Sequence, residues 1–488
     1  MQAFDWLVLA AYSSLLLFLG WRASRGDRTA ESHLRANRSL PAWAVVFSIL
    51  ATEVSAATYI GVPEAAYNGN WTYLEFAVGN LLGKWFLSRR VIPRYWRLQL
   101  PTVYGFLGQR IGPRTQRAAA SAFLCGRLIA SGVRLFIAAY AFAVVTGFEL
   151  RSAILVMALL STAYTFVGGL KAVVWTDVAQ GSIFFIGAAT ALAVGLAQIG
   201  LPLGELVREA SQAGKFDLVA FDKPLLRDAY NPIAAVLGGF FLVLATHGTD
   251  QENVQHMLST RSAGGSSRSI LASGFLTFPI VALFLAVGTM LWVYHRHVAV
   301  AYSLATPADV HRIFPNFIMH QLPTGVRGLV FAGLFAAAVS SLGATLNATT
   351  SAWTSDIFPP RAGTSARLST VRGLICAFGV ALALVALFFA WFTAGTESDL
   401  VQIALSAMTI LYGGILGTFL VALFLERRGS DLSLLLGMLA GVGVGALLYF
   451  GQQPLLGRTA LAWPWYLPLS AGTTVLVALT GRRAPPRP

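Results

Sequence analysis

Stretches of about 20 apolar residues recur along the whole length of this chain, and they narrow its folding options more than any motif does. A run of that length crosses a hydrocarbon core of about 30 Å as an α-helix. Inside such a core each peptide N–H and C=O needs a partner within the protein, and strands this long and apolar do not make barrels. The chain is therefore expected to be an all-α integral membrane protein. About thirteen transmembrane helices are predicted, over 4–21, 41–67, 72–91, 118–147, 152–168, 172–199, 231–248, 267–294, 325–357, 369–393, 398–425, 431–451 and 463–481. Composition agrees: 56% of residues are hydrophobic and 11% are charged, against roughly 25% charged in a soluble domain. The longest polar gaps, 200–230 and 295–324, leave no room for a soluble domain. The first span lacks a basic leader and a small-residue cleavage site, so a retained helix is expected rather than a signal peptide.

A formal net charge of +14 would suggest nucleic acid in a soluble chain. Its placement argues otherwise. Of the 35 Lys and Arg, 23 fall in alternate loops, starting with 22–38 and 89–117, and nine in the opposite ones. That asymmetry predicts the N-terminus outside and the C-terminus in the cytoplasm of a cell (inner) membrane, and an odd number of spans agrees. Membrane lipid is the expected surroundings; no nucleic acid and no obligatory protein partner is called for. Cys125 and Cys376 sit inside spans and are expected to be small core residues rather than a disulfide. His247 is the only histidine well inside a span, which argues against a bis-histidine haem and a membrane redox enzyme. No enzymatic activity is expected.

Polar interruptions carry the functional signal. Residues 328–356 read GLVFAGLFAAAVSSLGATLNATTSAWTSD, where Ala337, Ser340 and Ser341 share one helical face. A hydroxyl pair there either glues helices together or offers neutral oxygens to a small hard cation. The span 41–67 mixes Glu53, Ser55 and Thr58 with small residues before Gly61 and Pro63. The span 231–248 likewise passes from apolar to Thr246, His247, Gly248, Thr249 and Asp250. Helices that unwind at membrane depth free carbonyls for an ion, and two of them five spans apart mark an inverted-repeat transporter. The predicted organisation is a first helix with a basic cytoplasmic loop (1–40), a five-helix repeat (41–199), an extracellular loop (200–230), a second five-helix repeat (231–425), and two further helices with a short cytoplasmic tail (426–488).

Four motifs in order, SAATYIGVP at 55–63, GGLKAVVWTDVAQG at 168–181, GTDQENVQ at 248–255 and LFAAAVSSLGATLNATTSAWTSDIF at 334–358, resemble the sodium:solute symporter family. That family holds bacterial sodium–galactose, sodium–proline and sodium–sialic acid symporters and mammalian sodium–glucose carriers. The resemblance covers about 41–425 and implies a LeuT-type five-plus-five fold with two broken helices. It implies sodium-coupled symport of a small organic solute, such as a sugar, sugar acid or other carboxylate, into the cell. The sodium ion would lie between the backbone carbonyls of Ala51, Val54 and Ala337 and the hydroxyls of Ser340 and Ser341. Asp177 would stand on the ion exit path. Members with a second sodium carry serines where this chain has Gly343 and Ala344, so one sodium per turnover is expected.

The substrate pocket implied by the resemblance lies between the spans at 41–67, 72–91, 118–147, 231–248 and 398–425. Its candidates are Thr58, Glu75, Asp250, Gln251, Glu252 and Gln402. Arg127 and Arg134 are seven apart, on one face of an apolar helix, where arginine needs a carboxylate or a ligand anion. Arg134 is taken as a substrate candidate, the alternative being a structural pair with Glu75 or Glu53. Sialic acid symporters use an arginine on this helix for the substrate carboxylate; the matching position here is Ala130. Two other functions remain open: proton-coupled symport, against which the paired serines speak, and a solute sensor that does not transport.

Overall fold

A computed structural model describes residues 3–25, 29–54, 56–300, 302, 313–361, 366–392, 400–452, 455 and 460–483. Its elements are helices, joined by two isolated β-bridges among the described residues, Leu40 to Thr260 and Arg428 to Arg482. Six described helices are long and apolar enough to cross a membrane, or seven if one bent pair counts as a single span. Several other apolar stretches are divided. The stretch at 41–67 becomes Ala42–Glu53 and Ala56–Asn68, and the one at 231–248 continues past a 68° bend from Pro232–Gly248 into Gln251–Leu258.

Two expected spans instead run into one helical segment, Leu150–Ile199. Fifty residues of straight helix would measure about 75 Å, twice a bilayer, so the chain has to turn within it. It turns at Gly169, with φ 53° and ψ −150°, a conformation closed to side-chain-bearing residues. A Cβ there would also lie 2.3 Å from the His33 carbonyl oxygen. The short helix Ala30–Arg35 thus packs directly onto the turn.

Against this segment lies Val326–Ala352, the helix of hydroxyls. Small residues set the spacing: a Cβ at Gly333 would meet the Phe184 Cα at 3.2 Å. Leu74–Phe86 and Pro232–Gly248 cross still more closely, since a Cβ at Gly79 would come within 2.2 Å of the Val236 carbonyl oxygen. On the side of the basic loops the start of the first broken helix is tied to the segment that follows the second by one backbone and two side-chain hydrogen bonds. Leu40 N–H donates to Ser259 C=O at 3.2 Å, Arg261 Nε to Ser39 C=O at 3.0 Å, and Ser269 Oγ to Ala42 C=O at 3.0 Å. Cys125 and Cys376 are free but exposed on the outer faces of their helices, which corrects their expected place in the core. A thiol is apolar enough to face lipid as readily as protein.

Candidate functional site

Helix Ala42–Glu53 stops because Val54 turns to an extended conformation, φ −81° and ψ 106°, although its N–H still reaches Leu50 C=O at 2.8 Å. The carbonyls of the last turn then project beyond the helix, at the negative end of its dipole. In front of them lies a small cavity of about 10 Å³, room for one water-sized body. Ala51, Val54, Gln180, Gly181, Phe184 and Ser340 line it.

The wall of this cavity is largely apolar, with Phe185 beside Phe184, and Ser340 and Gln180 are its polar side chains; a cluster of oxygens stands behind Ser340. Ser340 Oγ donates to one oxygen of Asp177, and Ser48 Oγ donates to the other. Ser48 Oγ also stands 2.7 Å from His256 Nδ1, which joins the second broken helix to the cluster. All four side chains are buried. A serine that gives its proton to a carboxylate keeps its lone pairs for a cation, and the carboxylate makes those lone pairs more basic. Gln180 adds an amide with neither polar atom hydrogen-bonded, beside the Tyr12 hydroxyl. Carbonyl, hydroxyl and amide oxygens backed by one carboxylate suit a small hard cation and fit sodium. Ser341 is buried one residue beyond Ser340 and does not line the cavity, and the Ala337 side chain lies outside the described residues.

At the second break, Asp250 caps Gln251–Leu258, its Oδ1 accepting the Glu252 N–H at 2.8 Å. Its Oδ2 is taken by Arg127 Nη2 and by the Tyr412 hydroxyl. Arg127 Nε lies 3.4 Å from Glu252 Oε2, which accepts from Thr345 Oγ1 at 2.7 Å; Thr345 in turn meets Ser131 Oγ at 2.8 Å. This buried network joins four helices: Pro113–Thr146, Gln251–Leu258, Val326–Ala352 and Leu400–Phe424. Arg127 therefore pairs with neither Glu53 nor Glu75. Glu53 binds Lys84 Nζ at 2.7 Å and accepts from Asn80, all at the first break.

The remaining candidates scatter. Thr58 is half-buried on the helix after the first break and makes no hydrogen bond to a described residue. Glu75 sits beside Ala220 and Lys223 of the 200–230 segment, away from both breaks. Gln251 turns toward the basic loops, where its Oε1 accepts the Val103 N–H at 2.8 Å and its side chain lines a second small cavity with Arg35 and Arg38. The Gln402 side chain lies outside the described residues. Sequence reading missed Ser48, Lys84, Gln180, His256, Thr345 and Tyr412. Only Lys84, a charge inside an apolar span, carried a signal that could have found it.

Comparisons with known proteins bear on the family and the fold. The model of the sodium:solute symporter family matches residues 33–441. A sodium/sialic acid symporter of Proteus mirabilis is 25% identical over 449 residues, covering 90% of this chain and 88% of that one. The human sodium/iodide cotransporter is 27% identical over 447 residues, covering 91% of this chain and 68% of its own length. Among solved structures, a Na+-coupled sialic acid symporter in a substrate-bound outward-open state superposes with a TM-score of 0.85 at 23% identity, over 99% of both chains. A nucleobase–cation symporter in a closed conformation gives 0.58 at 14% identity, over 91% of this chain and 92% of that one. These structural likenesses fix the fold as that of LeuT-type transporters. The chain belongs to the sodium:solute symporter family.

Proposed function

We propose that the chain is a secondary active transporter of a cell membrane. It would couple one sodium ion per turnover to the inward movement of a small organic solute by alternating access. The observation that carries this reading is the small cavity at the first break, where Ser340, hydrogen-bonded to Asp177, lies across from Ala51 and Val54 at the end of another helix. An ion there holds two helices together, so its affinity differs between the conformations that bring them near and apart. The sodium set would be the carbonyls of Ala51, Val54 and Ala337 with the hydroxyls of Ser340 and Ser341, and Asp177 would receive the ion as it leaves.

A single sodium is supported by Gly343. A Cβ at that position would lie 1.9 Å from the Tyr164 hydroxyl, which donates to Val339 C=O at 3.0 Å. The tyrosine fills the volume that a second hydroxyl ligand would need. The solute would be bound by residues among Thr58, Glu75, Arg134, Asp250, Gln251 and Gln402. The names of several relatives specify sialic acid, iodide or monocarboxylates, which favours an acidic solute over a neutral one. The proposed topology has the N-terminus outside and the C-terminus in the cytoplasm.

The test is sodium-driven uptake into proteoliposomes beside thermal stability of the purified protein, sodium against potassium at constant ionic strength. Stabilisation specific to sodium, enlarged by a transported solute, is the expected result through linkage. A solute response indifferent to sodium would refute the coupling.

A further inference from the structure

The non-glycine residues with left-handed backbone, among the described residues, all gather at one place on the side of the basic loops. Ala36 (φ 52°), Asn37 (φ 50°) and Arg38 (φ 50°) follow one another after the helix Ala30–Arg35. Gln99 (φ 53°) meets them through its Oε1, which accepts from Arg38 Nη1. Capping the helix calls for one such residue, and Ala36 supplies it by donating its N–H to Ser32 C=O. The cap explains neither Asn37 nor Arg38. Side-chain-bearing residues resist this conformation, and where it accumulates it marks a clamp or a ligand seat.

Arg35 and Arg38 line the small cavity of about 10 Å³ noted above, room for one water molecule or one monatomic ion. Gln251, Gln255 and Ser259 line it too, and all three are buried. Among the described residues no carboxylate does. Glu31 pairs with Arg35 at 3.0 Å, but its side chain is 69% exposed and solvent weakens the pair. Gln255 Nε2 donates to Leu34 C=O, and Ser259 Oγ donates to His256 C=O at 2.6 Å. Gln251 Nε2 is less well served. Its contacts, Pro101 C=O at 3.5 Å and Gln255 Oε1 at 3.4 Å, exceed the ordinary N–H···O length. A donor on a side chain only 1% exposed thus keeps spare capacity beside the cavity.

We propose that this cavity seats one small monovalent inorganic anion of chloride's size, held by Arg35 and Arg38 with Gln251 Nε2 as a further donor. Arg35, Arg38 and Glu31 sum to one positive charge, which one such anion cancels. A water molecule would serve the amide and leave that charge standing. Phosphate and sulfate, each with four oxygens, exceed the space. The walls come from three parts of the chain, at 35–38, 100–101 and 251–259. Two contacts already clasp the first of these to the last, Gln255 to Leu34 and Leu40 N–H to Ser259 C=O at 3.2 Å. A bound anion favours this clasped arrangement through its higher affinity for it. The seat adjoins the start of Ala42–Glu53, whose other end, about 18 Å along the helix, meets the cavity at Ala51.

The experiment measures thermal melting of the purified full-length protein in sodium-free buffer, so its outcome does not depend on the symporter reading. Potassium chloride, bromide, phosphate and sulfate each replace potassium methanesulfonate at constant ionic strength, and phosphatidylglycerol micelles serve as a lipid source of phosphate. Chloride and bromide should raise the melting temperature with saturation; phosphate, sulfate and the lipid should not. Arg38→Gln and Arg35→Gln should each raise the half-saturating chloride concentration roughly tenfold or more, the loss of one charged hydrogen-bonding partner. Arg38→Lys should fall between. Arg89→Gln, which removes an exposed arginine of the basic loops, should match the wild type. If one arginine variant fails to fold, the other and the wild-type anion series still decide. A chloride response that is absent or never saturates, or one left unchanged in a folded arginine variant, would overturn the assignment. So would saturable stabilisation by phosphate or phosphatidylglycerol in place of chloride.

Discussion

At the scale of single residues, the functional core is made of polar groups that satisfy one another across large gaps in sequence. Ser340 lines the cavity and donates to Asp177, so Ser340→Ala should raise the sodium concentration for half-maximal uptake roughly tenfold. Ser341→Ala should raise it less, because Ser341 stands back from the cavity; sodium titration of uptake by the two variants decides the order. Arg127→Ala leaves Asp250 and Glu252 buried and unpaired, which typically costs 3–5 kcal/mol, and a drop of several degrees in melting temperature would register it. An unchanged melting temperature would mean that water or a neighbour compensates both carboxylates. Asp177 was legible because an ionisable residue in an apolar span is rare, and Ser340 and Ser341 because they stand paired on one helical face within a family-like motif. Ser48 and His256 were not, since serine is common in membrane helices and the partners lie 208 positions apart. Tyr412 gave no signal either, as an isolated tyrosine in a span is ordinary.

Among whole elements, both helix breaks could be read from the sequence, because polar and small residues enter the spans where the backbone leaves the helix. The turn inside Leu150–Ile199 was legible only as a gap between two spans; its geometry depends on His33, more than a hundred residues earlier. That contact has a pH signature. Burial, with Arg372 nearby, pushes the His33 imidazole down to about 4 from its ordinary 6.5, and it lies outside the expected spans. The folded protein thus holds His33 neutral where the unfolded chain would protonate it. Its contribution is complete above about pH 6.5 and is lost as pH falls toward 4, amounting to about 3 kcal/mol over that window. His33→Gln should flatten the acid limb of the stability profile between pH 6.5 and 4, measured by thermal melts; a parallel profile would exclude His33 as its source.

For the whole molecule, the stoichiometry of charge is the sharpest expectation. One sodium with one monoanion moves no net charge, so solute accumulation in proteoliposomes should be insensitive to an imposed potential of 100 mV. One sodium with a neutral solute would move one charge worth about 2.3 kcal/mol, roughly a fifty-fold change in the accumulation ratio. The sodium dependence of uptake should have a Hill coefficient near 1, with Tyr164 filling the room beside Gly343. The class of molecule was evident from hydropathy alone, and the family from four short motifs. Which carboxylate answers which arginine was not, because pairing across helices is decided by packing that no periodicity encodes.

The backbone tie between Leu40 and Ser259, with Arg261 and Ser269 reinforcing it, has a consequence for energy conservation in the cell. The half-helix proposed to present carbonyls to the ion and the half-helix capped by Asp250 are fastened at their ends on the side of the basic loops. Moving either one alone would break these hydrogen bonds. In the proposed cycle, an ion without solute, or a solute without ion, would meet a gate whose two leaves share one latch. Slippage, in which a sodium gradient drains with no cargo moved, would be disfavoured in the proposed cycle by three hydrogen bonds away from the cavity at the first break.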